Sequence, residues 1–513
     1  MGKKNQFIKA IGMSTVFVIG STASTIAEEA YKSNSTNSDV RLTSETLAQS
    51  ASPPDIIEPA KTPIEDLEPL NPSEDLLSLP DNVEEVEVDT EQPITLEQAI
   101  ELALRNNQDV LAAQVQLAQS EDVLREARAA LLPTLDLGSG LDYSNSAFLD
   151  SVNEQIIEDR GEGSLTNPET SSFTFNTSLT LGYNIYTGGS RGASIRAAQK
   201  QLRSSELQLE TTLEQVKFEA SRDYYELQNS DASVGIEEAA VEDAQQTLKD
   251  AQLLERAGLG TRFDVLRAEV ELAQAEQRLS TAKANQNISR RQLAETLSVS
   301  HSTDLSTADT IEEAGVWELS LSESIVKAFQ NRAELEQFLL QRDIANEQRT
   351  IALSNIRPTL SADAAYNISD DFEDSFDISD QYSVGLNLQW RLYDGGAARA
   401  AARQSEKDSE IAEIQFADQR DQIRFAVEQA FYGLEANQDN IGTASKEVEL
   451  AEESLRLARL RFQAGVGTQT DVIEAQTQLT TARGNLLSSI IDYNQSYVDL
   501  QRQVSKVSGV TPQ

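Results

Sequence analysis

The chain has 513 residues and carries 84 Asp and Glu against 42 Lys and Arg, a net charge of −42. That excess repels phosphate backbones and argues against nucleic acid and anionic membrane surfaces as partners. With no Cys and one His, His301, disulfides, thiolate or zinc-finger sites and Cys nucleophiles are excluded as well. The remaining balance, 39% apolar and 25% charged with only 12 Pro, suits long Ala/Leu/Gln/Glu helices better than a compact mixed fold.

Lys3, Lys4 and Lys9 precede an apolar stretch around Ala10 to Gly20, and small residues follow as far as Ala27. This order predicts an export signal peptide over residues 1–27, since its apolar core is far short of the roughly 20 residues that span a bilayer. Residues 28–92 hold seven of the twelve prolines and seventeen Asp/Glu against three Lys/Arg. A solvated, disordered acidic tether is expected there, the alternative being an arm that binds cell-wall material or a partner.

Beyond the tether the chain repeats itself. Leu96, Ile100, Asn106 and Pro133-Thr134-Leu135 match Leu321, Ile325, Asn331 and Pro358-Thr359-Leu360 at an offset of 225. Tyr186-Thr187-Gly188-Gly189 matches Tyr393-Asp394-Gly395-Gly396 at an offset of 207, and that offset holds through Ala257-Gly258-Leu259-Gly260-Thr261 and Ala464-Gly465-Val466-Gly467-Thr468. Two copies of one unit are therefore predicted, over 93–300 and 319–508, with an inter-repeat linker at 301–318 and a C-terminal tail at 509–513. His301 falls in that linker as a solvated loop residue.

In each unit a helical segment ends at Pro133 or Pro358, where the ring removes a donor and biases the preceding residue away from α. The period then switches to two. Leu135, Leu137, Leu141 and Tyr143 alternate with polar or small residues, as do Phe173, Phe175, Leu179, Leu181, Tyr183 and Ile185. The second copy repeats this with Leu360, Ala362, Ala364, Tyr366 and Ile368, then Tyr382, Val384, Leu386, Leu388, Trp390 and Leu392. Strands are expected at about 133–144, 171–187, 358–369 and 382–393. Alternating strands of this length suit a membrane barrel, and the rival is a packed antiparallel sheet with one buried face. Placement of Tyr143, Tyr183, Tyr186, Tyr366, Tyr382, Trp390 and Tyr393 near strand ends favours the barrel. Four strands cannot close, because small barrels need about eight, so oligomerisation follows.

Each Gly-Gly turn leads into a proline-free helical run, Ser190–Ala257 and Ala397–Ala464, on the order of 100 Å long at 1.5 Å per residue. Ile195, Leu202, Leu209 and Val216 recur every seven residues beside Ala198, Ser205 and Thr212, a coiled-coil seam with small residues for close approach. The Ala-Gly-x-Gly-Thr turns then send the chain back through helices at about 262–298 and 469–507. All four tip glycines, Gly258, Gly260, Gly465 and Gly467, are expected to serve turns that need positive φ.

The helix–strand–strand–helix–helix duplication, the paired Tyr-x-Gly-Gly turns and the doubled Ala-Gly-x-Gly-Thr-x-x-Asp-Val tip motif together resemble the TolC family of outer-membrane efflux and secretion channels over about residues 93–508. The resemblance implies an α+β membrane protein of the Gram-negative-type outer membrane. Its homotrimer would form a 12-stranded β-barrel in outer-membrane lipid, continued by a periplasmic coiled-coil tunnel. It further implies a periplasmic adaptor (membrane fusion) protein and an inner-membrane pump, of RND or ABC type, as partners. By the same resemblance the loops Ala257, Gly258, Leu259 and Ala464, Gly465, Val466 would dock the adaptor.

Asp264 and Asp471 each follow a Gly-Thr by three residues, a position favoured by the helix dipole. Asp471 and Glu474 share one helix face, and three chains would gather them into an acidic pore constriction. The matching residues in the first copy are Asp264 and Arg267. In the family an aspartate at the Asp264 position latches the closed tip through a tyrosine and an arginine, where this chain has Phe462 and Gly467. Asp264 and Phe462 are therefore the gate candidates, with a tip that is less tightly latched or held by other pairs. No catalytic residue, metal or cofactor is expected. The function expected is a passive trimeric exit channel for a tripartite efflux pump or type I secretion system, the alternative being a periplasmic coiled-coil scaffold.

Overall fold

A computed structural model describes residues 90–145, 171–299, 303–372 and 378–504. The chain divides into two units, Met1–Thr62 and Pro63–Gln513, and every described residue belongs to the second. The signal peptide, the tether up to residue 89, His301 and the tail lie outside the described residues.

The first repeat runs β1 (Thr90–Ile94), α1 (Leu96–Asn106), α2 (Gln108–Ala129), β2 (Thr134–Asn145), β3 (Ser171–Thr187), α3 (Ser190–Arg256) and α4 (Arg262–Leu297). The second runs β4 (Thr303–Thr307), α5 (Leu321–Asn331), α6 (Ala333–Ser354), β5 (Thr359–Asp371), β6 (Ser379–Gln389), α7 (Ala397–Gln463) and α8 (Gln469–Val504). Strand bounds follow the alternation closely except in β6. That strand starts three residues earlier than expected and stops at Gln389, leaving Trp390, Leu392 and Tyr393 beyond it.

Two expected boundaries need correction. Thr90 to Gln92, assigned to the tether, lie in β1, which pairs in parallel with β4 from Thr90↔Thr303 to Ile94↔Thr307. The linker accordingly contains a strand, and its described residues from 303 onward are tied down. Arg290 and Arg291 of α4 clamp Asp304. The Tyr224 hydroxyl of α3 shares its one proton between Asp309 Oδ2 at 2.8 Å and Ile94 O at 3.1 Å. Farther along, Asn494 of α8 donates to Glu312 O and accepts from Ala314 N, both at 2.8 Å. These contacts satisfy backbone groups that a loop beside an apolar core would otherwise leave unpaired.

The four long strands form one antiparallel sheet in the order β2-β3-β5-β6. The helices next to the sheet pack in the same sequence, α2 on α3, α3 on α6 and α6 on α7. Toward the tips the order becomes α4-α3-α8-α7. The core follows these contacts. One cluster joins α1, α3 and α4 around Leu102, Tyr224, Leu227 and Leu293, and a second joins α5, α7 and α8 around Ile423, Tyr493 and Leu500. Short buried side chains, among them Ala198, Ala268, Ala275 and Ala482, allow close helix approach along the coiled coils.

Candidate functional site: the uncovered sheet and the hairpin tips

Cross-strand register gathers the apolar residues of the sheet into rows on one face. Leu135, Leu181, Ala364 and Val384 form one row, and Leu137, Leu179, Tyr366 and Tyr382 the next. These rows should be core in a packed sheet, yet Leu137 is 74% and Val384 82% exposed. Nothing among the described residues covers them, so the packed-sheet alternative does not describe this fold. Tyr183, Tyr186 and Trp390 border this face nearest the helices, while Tyr143 and Phe173 pair at the far end. Tyr366 and Tyr382 are not at strand ends, as expected, but in mid-sheet. They still bound the apolar face on their side, because the next row holds Asp380, whose carboxylate accepts the Tyr366 hydroxyl at 3.3 Å. The opposite face is polar and carries Asp136, Asp142 and Asp363, and no strand of the sheet contains Lys or Arg.

The two hairpin tips are built alike. Gly258 and Gly465 have φ of +75° and +74°, where an L side chain is strained. Gly260 and Gly467 do not have positive φ. Their reason is space, since a Cβ there would lie 3.1 Å from Leu254 Cβ and 3.0 Å from Arg461 Cβ. The carbonyls of Leu254 and Arg461 each accept two turn N–H groups, which closes the helix ends in the way a Schellman turn does. The adaptor-docking candidates Ala257, Gly258, Leu259, Ala464, Gly465 and Val466 are all exposed.

Both tip aspartates cap helices. Asp264 Oδ2 accepts the Thr261 backbone N–H at 2.9 Å and its hydroxyl at 2.6 Å, and Asp471 Oδ2 accepts the Thr468 N–H at 2.9 Å. The Thr468 N–H, the Thr468 hydroxyl and the nearby Arg461 charge hold the Asp471 carboxyl below the ordinary aspartate value. Asp471 and Glu474 are both exposed in the single chain. Asp264 and Phe462 are not brought together by any described contact. Phe462 instead packs into the core of its own hairpin beside Leu455, Val472 and Ala475.

The contacts that do join the hairpins were not foreseen. Arg267 of α4 donates to the Thr470 hydroxyl of α8. Asp243 of α3 pairs with Arg459 of α7 at 2.7 Å. Between these, Gln476 of α8 donates to the Thr247 hydroxyl at 2.9 Å and to Asp243 O at 3.3 Å. A sequence signal existed, because at the 207-residue offset Asp243 faces Leu450, Gln252 faces Arg459, and Glu269 faces Gln476. The copies diverge where one hairpin meets the other.

Comparison with known proteins agrees with this geometry. Outer membrane protein TolC of Vibrio cholerae is 28% identical over 165 residues, covering 32% of this chain and 37% of that protein. Outer membrane efflux protein BepC of Brucella suis is 31% identical over 170 residues, 32% of this chain and 35% of that protein. The aligned stretches thus span little more than a third of the length of these relatives. Over the whole fold, the CmeC outer membrane channel of Campylobacter jejuni superposes with a TM-score of 0.69 at 17% identity, covering 86% of this chain and 96% of that one. The model of the outer membrane efflux protein family matches residues 99–298 and 324–505. With that match across both repeats, the chain is an outer-membrane protein and belongs to the outer membrane efflux protein family.

Proposed function

We propose that this protein is a passive, trimeric exit channel of the outer membrane, serving a tripartite efflux pump or a type I secretion system. The observation that carries this reading is the sheet whose apolar face is uncovered, and whose edges β2 and β6 are unpaired, among the described residues. Open edges and uncovered backbone groups do not persist in hydrocarbon, so the sheet must close with further strands. Three copies supply twelve, which passes the size of the smallest barrels.

The helical body is edged in the same way. Near the sheet its outer members are α2 and α7, with Val115 and Val123 exposed on one and Ile411 and Ile414 on the other. Toward the tips its outer members are α4 and α7. There α4 exposes Phe263, Leu266 and Val270, with Leu259 exposed in the turn before it, while α7 exposes Leu450, Leu457 and Leu460. Both stripes lie within about four turns of their tips, so α4 of one copy and α7 of the next can zip together. Such head-to-tail contacts close a ring when the rotation fits.

The mechanism is conduction. Substrate enters at the tips and leaves through the barrel, whose polar face carries carboxylates and no cationic side chain. Asp471 and Glu474 of three copies form an acidic mouth that favours cations. The exposed loops at Ala257–Leu259 and Ala464–Val466 dock the adaptor, and a partner pump supplies the energy. Residues 1–27 direct export, and the segment between them and β1 is strongly acidic.

Planar-bilayer recording on the purified mature protein tests this. Discrete, cation-preferring conductance steps are expected, together with membrane retention through a carbonate wash. A well-folded protein that washes off with carbonate and never conducts would overturn the channel.

A further inference from the structure

Gln469 is the first residue of α8, immediately after the turn of the second hairpin. Its side chain is 3% exposed, and neither its amide nitrogen nor its amide oxygen has a hydrogen-bond partner among the described residues. Because its own chain already buries it, a neighbouring copy cannot reach these atoms. Its counterpart in the first hairpin, Arg262, is exposed and lies 4.0 Å from Glu269.

Its position is set by its neighbours. Gln469, Ile473 and Gln476 fall at i, i+4 and i+7 on one face of α8. Gln476 bonds Thr247 and Asp243 of α3, and Thr470, adjacent to Gln469, accepts from Arg267 of α4. Gln469 therefore sits at the tip end of the seam between the two hairpins. A buried amide that makes no hydrogen bond destabilises the state that buries it, and recovers its bonds once water reaches it.

We propose that Gln469 is a built-in release element: its unpaired amide keeps the packed tip metastable, so that separating the second hairpin from the first is favoured by hydrating this one side chain. The Asp243–Arg459, Thr247–Gln476 and Arg267–Thr470 contacts oppose it and hold the tip shut at rest. The role of this separation in opening a pore rests on the channel reading above; the metastability of the seam does not.

Hydrogen exchange on the full-length protein in detergent tests the seam directly, because amide exchange reports rare local opening. Gln469→Leu keeps the side-chain size and a similar helix propensity while removing the orphaned amide. It should slow exchange over residues 472–480 at least fivefold. Gln469→Glu, which places a charge in the same site, should speed it. Gln478→Leu, at an exposed position of the same helix, should change nothing. Unchanged or faster exchange in Gln469→Leu, or equal slowing in Gln478→Leu, would overturn the proposal. Bilayer recordings on the same samples separate the two readings. Altered exchange without any conductance would sink the channel and keep the release element, whereas conductance with exchange indifferent to Gln469→Leu would do the reverse.

Discussion

The two hairpin tips share a turn, a pair of glycines and an aspartate cap, yet they face different surroundings. On the first hairpin Phe263 and Leu266 stand in solvent, with Val265 and Ala268 packed against α3. On the second, the equivalents of Phe263, Leu266 and Glu269 are Thr470, Ile473 and Gln476, of which Ile473 and Gln476 are buried. One hairpin therefore presents an apolar stripe outward, while the other turns the same helix face inward against its sibling. At equivalent positions the first copy thus leaves an outward edge and the second forms the internal seam of the chain.

The sharpest way to break this contrast is to charge the outward stripe. If the channel is the trimer proposed above, Phe263→Asp with Leu266→Asp should convert it in detergent to monomer by light scattering. Each side chain forfeits about 1.5–3 kcal/mol of burial at every copy-to-copy contact, and a charge is stranded where it stood. Thr470→Asp, the same type of change on the second hairpin, should leave the trimer whole, since that position meets Arg267 of its own chain. A trimer that survives the double change would place the contact between copies elsewhere.

Next in size is ion preference. Asp471→Asn with Glu474→Gln should reduce the cation-to-anion permeability ratio severalfold in bilayers, because three copies would lose six charges around one mouth. Asp264→Ala in the first hairpin should leave open-channel conductance unchanged, since its carboxylate is engaged by Thr261. A preference indifferent to the Asp471 and Glu474 changes would move selectivity to the polar face of the sheet, where Asp136 and Asp363 stand.

A smaller effect is expected at the seam. Gln476→Ala removes the buried bond to Thr247, whose hydroxyl keeps its own acceptor, Asp243 O, at 2.9 Å. A cost of about 1 kcal/mol should raise the spontaneous open fraction about fivefold. Glu269→Ala, the first-copy equivalent on an exposed face, should have no such effect. The Asp243–Arg459 pair contributes less than its geometry suggests. Both side chains are well exposed, and pairs of that kind are worth about 1 kcal/mol or less.

Much of this contrast was legible in the sequence, and the reasons for the rest are physical. Pro133, Pro358 and the glycine turns punctuate the chain locally, so the repeat, the four strands and both long helices follow from neighbouring residues. The β1–β4 pair was not legible, because Thr-Glu-Gln-Pro-Ile has no alternation and finds its partner 213 residues away. Gly260 and Gly467 were read as positive-φ residues, since a sequence does not distinguish a left-handed turn from a close approach. Asp264 and Asp471 were placed at helix starts, and Phe462 and Gly467 at the positions of the family's latch partners pointed to a tip held by other pairs, but not to Asp243, Arg459 and Gln476, which form the seam. Those residues could have been found by asking where the two copies disagree in polarity, and Gln469 against Arg262 belongs to that set.

The smallest effect distinguishes the aspartate cap from the seam by its pH dependence. The Asp471 carboxyl is held below the ordinary value, first by the Thr468 N–H and then by the Thr468 hydroxyl and the Arg461 charge. A group whose folded value is depressed stabilises the fold above its unfolded value, and that contribution is lost as pH falls through the folded value. The unfolded reference for aspartate is about 3.9, so the contribution is complete at neutral pH and disappears only below about pH 4. Protection of the first turn of α8, corrected for the intrinsic exchange rate, should therefore be flat from pH 8 to about pH 5. It should decline only in more acidic solution, and Asp471→Asn should abolish that decline. If protection already weakens near pH 6, the titrating group is not this carboxylate, and the second tip would owe its start to something other than the cap it shares with the first.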